Sequence, residues 1–275
     1  SVVLIVIGLS TEQSIARLFY GGVGAGIVLT MTLMVTVMLV CRRHPDWGPV
    51  GPATTWEDRW RSLSGALEML VLFLLVMLGL FFGVFTPTEA GAAGSMLALL
   101  IAGIQRRLTW KGFLASITDT LKISCMVIVI VTGAMIFGRF LAVTRIPFDI
   151  AAWVAGFDLP SWAIMSMIIL AYLIGGCVID ALALIMLTVP IFYPVVLSLG
   201  YDPIWFGVII VLVTQIGVIT PPVGVNVYVV SGVARDIPLH VIFKGVIPLL
   251  VALIAATLLM LPFPEIALFL PNMMR

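Results

Sequence analysis

The stretch Thr214–Asn226, TQIGVITPPVGVN, decides how this chain is read. It lies in a run with no charged residue, from Pro203 to Ala234, and a run of that length is what a membrane-crossing helix requires. Yet Pro221 and Pro222 stand side by side in its middle, between Gly217 and Gly224. Proline has no N–H to donate, so the carbonyls about four residues upstream, around Ile216, Gly217 and Val218, lose their helical partners. Pro221 also pushes Thr220 out of the α region. The pattern predicts a half-helix ending near Ile219, a few unwound residues, and a second half-helix from about Gly224. The freed carbonyls and the Thr220 hydroxyl are hard oxygen donors, and the negative end of the first half-helix attracts a cation. Discontinuous helices of this kind hold coupling ions in secondary transporters. A proline-kinked helix with no ligand is the plainer alternative.

The rest of the chain has the composition such a helix demands. Of 275 residues, 62% are hydrophobic and only 10% charged. A soluble domain carries about 25% charge, so this chain lacks the charge to coat a water-soluble core and is expected to be an integral membrane protein. The net charge of +1 gives no reason to expect a nucleic-acid partner. Cys41, Cys125 and Cys177 lie in or beside apolar runs and read as small buried side chains rather than a disulfide framework. The opening residues SVVLIVIGL have no basic stretch before them and do not read as a signal peptide. They read as the tail of an apolar segment, with the chain expected to be the C-terminal part of something longer.

Charged residues divide the chain into uncharged runs at 18–41, 69–88, 90–105, 123–138, 159–179, 181–201, 203–234 and 245–264. If the ends alternate across a membrane, ten basic residues gather on one side: Arg42, Arg43, Arg59, Arg61, Arg106, Arg107, Lys111, Lys122, Arg235 and Lys244. Arg17, Arg145 and Arg275 fall on the other, with Arg139 near it. The richer side is expected to be cytoplasmic. The bookkeeping works only if 159–201 enters and leaves from the outer face. That points to a re-entrant hairpin with its tip at GGCVID, residues 175–180. Two ordinary spans joined by a tight turn are the alternative.

Two stretches on the basic side, 54–67 and 108–122, mix tryptophan with charge and suit helices lying at the membrane surface; simple amphipathic connectors fit as well. Gly83-Val84-Phe85-Thr86-Pro87 echoes Gly217-Val218-Ile219-Thr220-Pro221. There a structural turn is preferred, with Thr86 or Thr88 capping the next helix and Glu89 favourable in its first turn. Ala90 to Ser95 then form a small-residue face for close helix packing. The chain has no Walker A, G-x-S-x-G or H-E-x-x-H sequence and only two histidines, His44 and His240. ATP hydrolysis and a metal site of the zinc type are therefore not expected, and Asp180, which precedes Tyr201–Asp202 and lacks a glycine frame, does not fit an aspartyl protease.

These motifs together resemble a known family. GVFTPTEAGAAGS, GGCVIDALALIMLTVPIFYPVV, LGYDPIWFGVII, IGVITPPVGVNVYVVSGVA and the closing FPEIALFLPNMM are similar, in order and spacing, to the large membrane subunit of TRAP transporters, the tripartite ATP-independent periplasmic transporters. The resemblance implies an all-α, polytopic fold with a re-entrant hairpin and a broken helix. It is an inverted-repeat, elevator-type architecture, of which this chain holds one repeat and part of the other. It implies a bacterial inner-membrane secondary transporter that imports organic acids, C4-dicarboxylates or related carboxylates such as sialic acid. A periplasmic binding protein delivers the substrate, a small membrane subunit accompanies the large one, and sodium is the coupling ion; no other cofactor is implied. In this reading residues 1–20 are the remnant of the first broken helix and an outer loop. Residues 21–157 are scaffold-type helices with cytoplasmic amphipathic connectors. Residues 158–235 are the transport element, with the hairpin at 160–198 and the broken helix at 203–234, and 236–275 are a connector, the last membrane helix and a periplasmic tail.

The positions matching the family's second sodium site are Gly176 at the tip, then Gly217, Thr220 and Val223, all but Thr220 through backbone carbonyls. Asp180, Pro221, Pro222, Gly224 and Asn226 are further candidates for contact with substrate or ordered water; Asp180 fits equally as a buried carboxylate paired with backbone amides at the next helix start. No residue is expected to be catalytic. Because one repeat is partial, these residues alone are expected not to transport. A non-transporting membrane scaffold and an intramembrane enzyme are the alternatives, the latter disfavoured by the scarcity of deep ionisable residues.

Overall fold

The structure, a computed structural model, describes residues 2–47, 55–106, 108–155, 159–221, 224–233 and 237–273. Among them every regular element is helical. The helices are α1 (Val2–Thr11), α2 (Ile15–Arg43), α3 (Trp56–Phe81), α4 (Pro87–Ile104), α5 (Trp110–Thr144), α6 (Ile146–Ala155), α7 (Ser161–Gly176), α8 (Ala181–Ser198), α9 (Pro203–Ile219), α10 (Val225–Val233), α11 (Leu239–Met260) and α12 (Glu265–Met273), with a 3-10 turn at Pro45–Trp47. Five of the described helices, α2, α4, α5, α8 and α11, are long and apolar enough to cross a membrane. The fold is all-α and polytopic, that of a multi-pass membrane protein.

The chain forms two compact units, residues 49–129 and residues 1–48 with 130–275. In the first, α3 packs beside α4. Each begins with a capping box. Thr55 accepts from the Asp58 amide while the Asp58 carboxylate accepts from the Thr55 amide, and Thr86 and Glu89 do the same at α4, where Pro87 occupies the first turn. Two donors that a helix start leaves orphaned are thereby satisfied at each end. The segment 54–67, expected to form a separate surface helix, is continuous with the apolar run after it, since α3 runs unbroken from Trp56 to Phe81. Likewise 108–122 opens the 35-residue helix α5. No proline interrupts either junction, so nothing stops the helical hydrogen bonding from propagating.

In the second unit α9 is the axis. From Ile204 to Val218 all but Val211 and Gln215 are buried, as befits a helix apolar all round. Leu18, Ile185, Val189, Val196, Phe206, Ile209 and Ile210 form the fully buried centre of the cluster around it. Short connections at 177–180 and 199–202 make α7, α8 and α9 run up, down and up, so α7 and α9 lie parallel and pack together. α2 belongs to this unit as well, packing on α9, α11 and α12. It approaches α12 closely through Gly21 and Gly24, which face the Ala267 and Ile266 carbonyls; small residues are what let two backbones come this near.

Side-chain links at the helix ends give the relative direction of α2 and α11. Arg17 Nη2 donates to Asn272 Oδ1 at 3.4 Å, joining the start of α2 to α12. Trp205 Nε1 donates to the Met260 carbonyl at 3.3 Å, joining the start of α9 to the end of α11. The opposite ends of α2 and α11 meet around His240 and Lys244. α2 and α11 are therefore antiparallel. The cysteines form no disulfide, but they are not uniformly buried: Cys41 and Cys177 are half-buried and Cys125 is exposed on α5. An outward-facing apolar surface is what lipid contact requires, and it accommodates a thiol as readily as a core does.

Candidate functional site

The hairpin tip meets the broken helix through two glycines. A Cβ added to Gly217 would lie 2.6 Å from the Gly176 carbonyl carbon, 2.7 Å from its Cα and 3.0 Å from the Cys177 nitrogen. One added to Gly176 would lie 3.3 Å from both the Gly217 Cα and the Thr214 carbonyl oxygen. Backbone touches backbone here, and any side chain at Gly217 would separate the two elements. The tip reaches this point because α7 ends at Gly176, where the Cys177 amide turns back onto the Leu173 and Ile174 carbonyls.

α9 ends at Ile219, where the prolines predict it. Thr220 takes the extended conformation, φ −82° and ψ 140°, that a following proline imposes. Its amide is shared between the Ile216 and Gly217 carbonyls, at 3.1 and 2.9 Å, and its hydroxyl donates to the Ile216 carbonyl at 2.7 Å. Donating uses the hydroxyl hydrogen and leaves the oxygen's lone pairs available. The Gly176, Val218 and Ile219 carbonyls accept no hydrogen bond from the described residues beyond the ends of their helices. An exposed Pro221 follows, and Gly224, buried and at φ +57°, turns the chain into α10. That left-handed conformation is open to glycine at little cost. Phe243 of α11 closes over it, 3.0 Å from where a Cβ would stand.

The structure thus brings Gly176, Gly217 and Thr220 into one neighbourhood. Val223 and Pro222 lie outside the described residues. Asp180 caps α8, its carboxylate accepting from the Leu182 amide at 3.0 Å, but it is exposed rather than buried, since the tip leaves its outer side uncovered by the described residues. Asp202 does the same for α9, accepting from the Ile204 and Trp205 amides at 2.7 and 3.1 Å. Asn226 is exposed in the first turn of α10. Among the described residues no hydrogen bond ties Asp180 or Asn226 to Gly217 or Thr220. Two residues that the sequence does not mark as site candidates belong to the contact, Thr214 and Cys177. Thr214 is wholly buried, its hydroxyl donating to the Ile210 and Val211 carbonyls, and its carbonyl oxygen lies against Gly176. Its place three residues before Gly217, on the same helical face, is the signal that marks it.

Chemically the arrangement offers a cluster of neutral oxygen donors at a helix C-terminus, with no titratable side chain among Gly176, Thr214, Gly217 and Thr220. Such a set suits a hard monovalent cation and is poorly suited to acid–base or nucleophilic work.

A polytopic helical protein with a hairpin docked on an interrupted helix is the class that fold and site define, a multi-pass membrane protein. A sequence profile described as "Tripartite ATP-independent periplasmic transporter, DctM component" matches residues 1–266, and the chain belongs to that family. It is 33% identical over 273 residues to the C4-dicarboxylate TRAP transporter large permease protein DctM of Pseudomonas aeruginosa, covering 99% of this chain and 63% of that protein. It is 34% identical over 274 residues to the sialic acid TRAP transporter large permease protein SiaM of Vibrio cholerae, covering 99% and 64%. With the ectoine/5-hydroxyectoine TRAP transporter large permease protein UehC of Ruegeria pomeroyi it shares 29% identity over 277 residues, covering 99% and 63%. The chain therefore spans a little under two thirds of the length of these relatives. The family and the apolar helices place it in the bacterial inner membrane as a multi-pass protein.

Proposed function

We propose that this chain is part of the large membrane subunit of a sodium-coupled importer of organic acids. The observation that carries the reading is the backbone contact of Gly176 with Gly217 beside Thr220, where the interrupted helix leaves oxygen donors without a buried charge. Sodium takes oxygen donors from the Gly176 and Gly217 carbonyls, the Thr220 hydroxyl and the Val223 carbonyl; substrate lies near, toward Asp180, Pro221, Pro222, Gly224 and Asn226. Ion binding holds the tip against the break, and the hairpin and broken helix then move as one body in an elevator cycle. α7 supports a re-entrant course for the hairpin: its 16 residues reach about 24 Å at 1.5 Å per residue, short of the roughly 30 Å hydrocarbon core. In this reading the tip stops at the depth of the break, and α8, though long enough to cross, returns to the face that α7 entered.

The substrate belongs to the carboxylates and related small organic acids, in keeping with relatives named for C4-dicarboxylates and sialic acid. A periplasmic binding protein delivers it and a small membrane subunit completes the complex. No catalytic step is involved. The test is uptake into proteoliposomes holding the complete transporter, with the binding protein loaded outside. An inward sodium gradient is expected to drive accumulation, and Thr220→Val to reduce its sodium dependence at least tenfold. Uptake indifferent to sodium, or a Thr220→Val transporter with unaltered sodium dependence, overturns the assignment.

A further inference from the structure

At the basic ends of α2 and α11 lies a cavity of about 660 Å³, away from the hairpin tip. Val37, Val40 and Leu249 form its apolar wall, and Trp47, His240 and Lys244 stand at its mouth. Pro248 in α11 helps open it, since its ring displaces the hydrogen bond that would return to the Lys244 carbonyl. A smaller apolar recess adjoins it, sharing Val40, Trp47 and Pro248 and bordered by Arg43 and His44. The His44 and Trp47 rings stack at 4.8 Å, which holds the indole at the rim.

The charge of this rim is one-sided. Across 36–47 and 237–249 the basic residues are Arg42, Arg43 and Lys244, joined by His44 and His240, and the single acidic residue is Asp46. Lys244 and Arg43 are exposed and form no ion pair among the described residues. The vertical order matches a phospholipid. Cations and a tryptophan sit at the level where headgroups lie, and the valine and leucine wall begins one to two turns deeper along both helices. Basic pockets between membrane helices on this side take anionic headgroups.

We propose that the α2–α11 cavity is a site for one anionic phospholipid of the basic-side leaflet. Its phosphate pairs with Lys244 and Arg43, and one acyl chain lies along Val37, Val40 and Leu249. The assignment is independent of the ion site. The purified whole protein, in detergent, is titrated with dioleoylphosphatidylglycerol or dioleoylphosphatidylcholine, and bound lipid is counted by native mass spectrometry. The expected result is a several-fold preference for phosphatidylglycerol that Lys244→Gln with Arg43→Gln abolishes and Lys244→Arg retains. Both positions are solvent- or lipid-facing, so the substitutions leave the packing intact; unchanged melting temperatures check this. Equal retention of the two lipids, or a preference that survives the double glutamine variant, overturns the proposal. So does displacement of phosphatidylglycerol by millimolar inorganic phosphate, which would make the site one for free anions.

Discussion

At the scale of single residues the account turns on two glycines and a threonine. Gly217 has no room for a side chain, because the atoms it would strike are Gly176 backbone rather than the movable end of a side chain. Forcing a methyl into packed structure costs about 1–3 kcal/mol, so Gly217→Ala is expected to lower the melting temperature of the purified protein by several degrees. Gly26, in the middle of α2, has nothing within 4 Å of a built Cβ. There Gly26→Ala is expected to hold or raise the melting temperature, since an interior helical glycine costs roughly 0.5–1 kcal/mol relative to alanine. Equal effects at the two positions would remove the tip–break contact from the account. Much of this site was legible in sequence. Pro221 and Pro222 predict where α9 stops, and the Thr220 conformation follows from Pro221 alone. The pairing of Gly217 with Gly176 is legible only through family resemblance, because neither residue's own neighbours encode a contact across 41 positions of chain. The burial of Thr214 depends on α7 arriving beside it, which local sequence does not record.

At the scale of elements, what was legible is what neighbouring residues decide by themselves. Thr86 and Glu89 stand at capping-box spacing and form one. The unity of α3 and of α5 was not legible, because a change in composition at 67–69 and at 122–123 resembles a boundary although the backbone has no reason to break. α5, with 35 residues, is about 52 Å long, well beyond a hydrocarbon core of roughly 30 Å. Its amphipathic first turns are therefore expected outside the bilayer. In a cysteine-free background Ser116→Cys should react with a membrane-impermeant maleimide and Val129→Cys should not; indistinguishable labelling would contradict a transverse α5. The start of α3 carries a pH signature. The Thr55 hydroxyl and amide both donate to the Asp58 carboxylate and hold its pKa below the ordinary carboxylate range. A carboxyl depressed in the folded state contributes stability above its unfolded pKa and loses it as pH falls through the folded value. Hydrogen-exchange protection of the first amides of α3 should accordingly be flat near neutrality and decline at acid pH. Thr55→Ala should weaken it at neutral pH and flatten the profile.

For the whole molecule, composition alone made the chain a membrane protein, and the distribution of arginine and lysine suggested its alternation. The links Arg17–Asn272 and Trp205–Met260 tie together helix ends that the charges do not pair. The place of α2 beside α9, α11 and α12 was not foreseen in sequence. Its exposed residues, Met31, Met34, Val35 and Met38 among them, are as apolar as its buried ones, so hydrophobicity does not say which neighbours it chooses. The central claim is that the docked tip and interrupted helix bind sodium as one unit. Sodium bound to the folded protein alone must stabilise it by mass action, by about 2.7 kcal/mol at one hundred times its dissociation constant. The most direct measurement is the melting temperature of the purified whole transporter in sodium, potassium and choline chloride at equal ionic strength, without substrate, for the natural protein and for Thr220→Val. A rise specific to sodium is expected, abolished or sharply reduced by Thr220→Val. A rise shared by potassium and choline, or one unchanged in Thr220→Val, would contradict it.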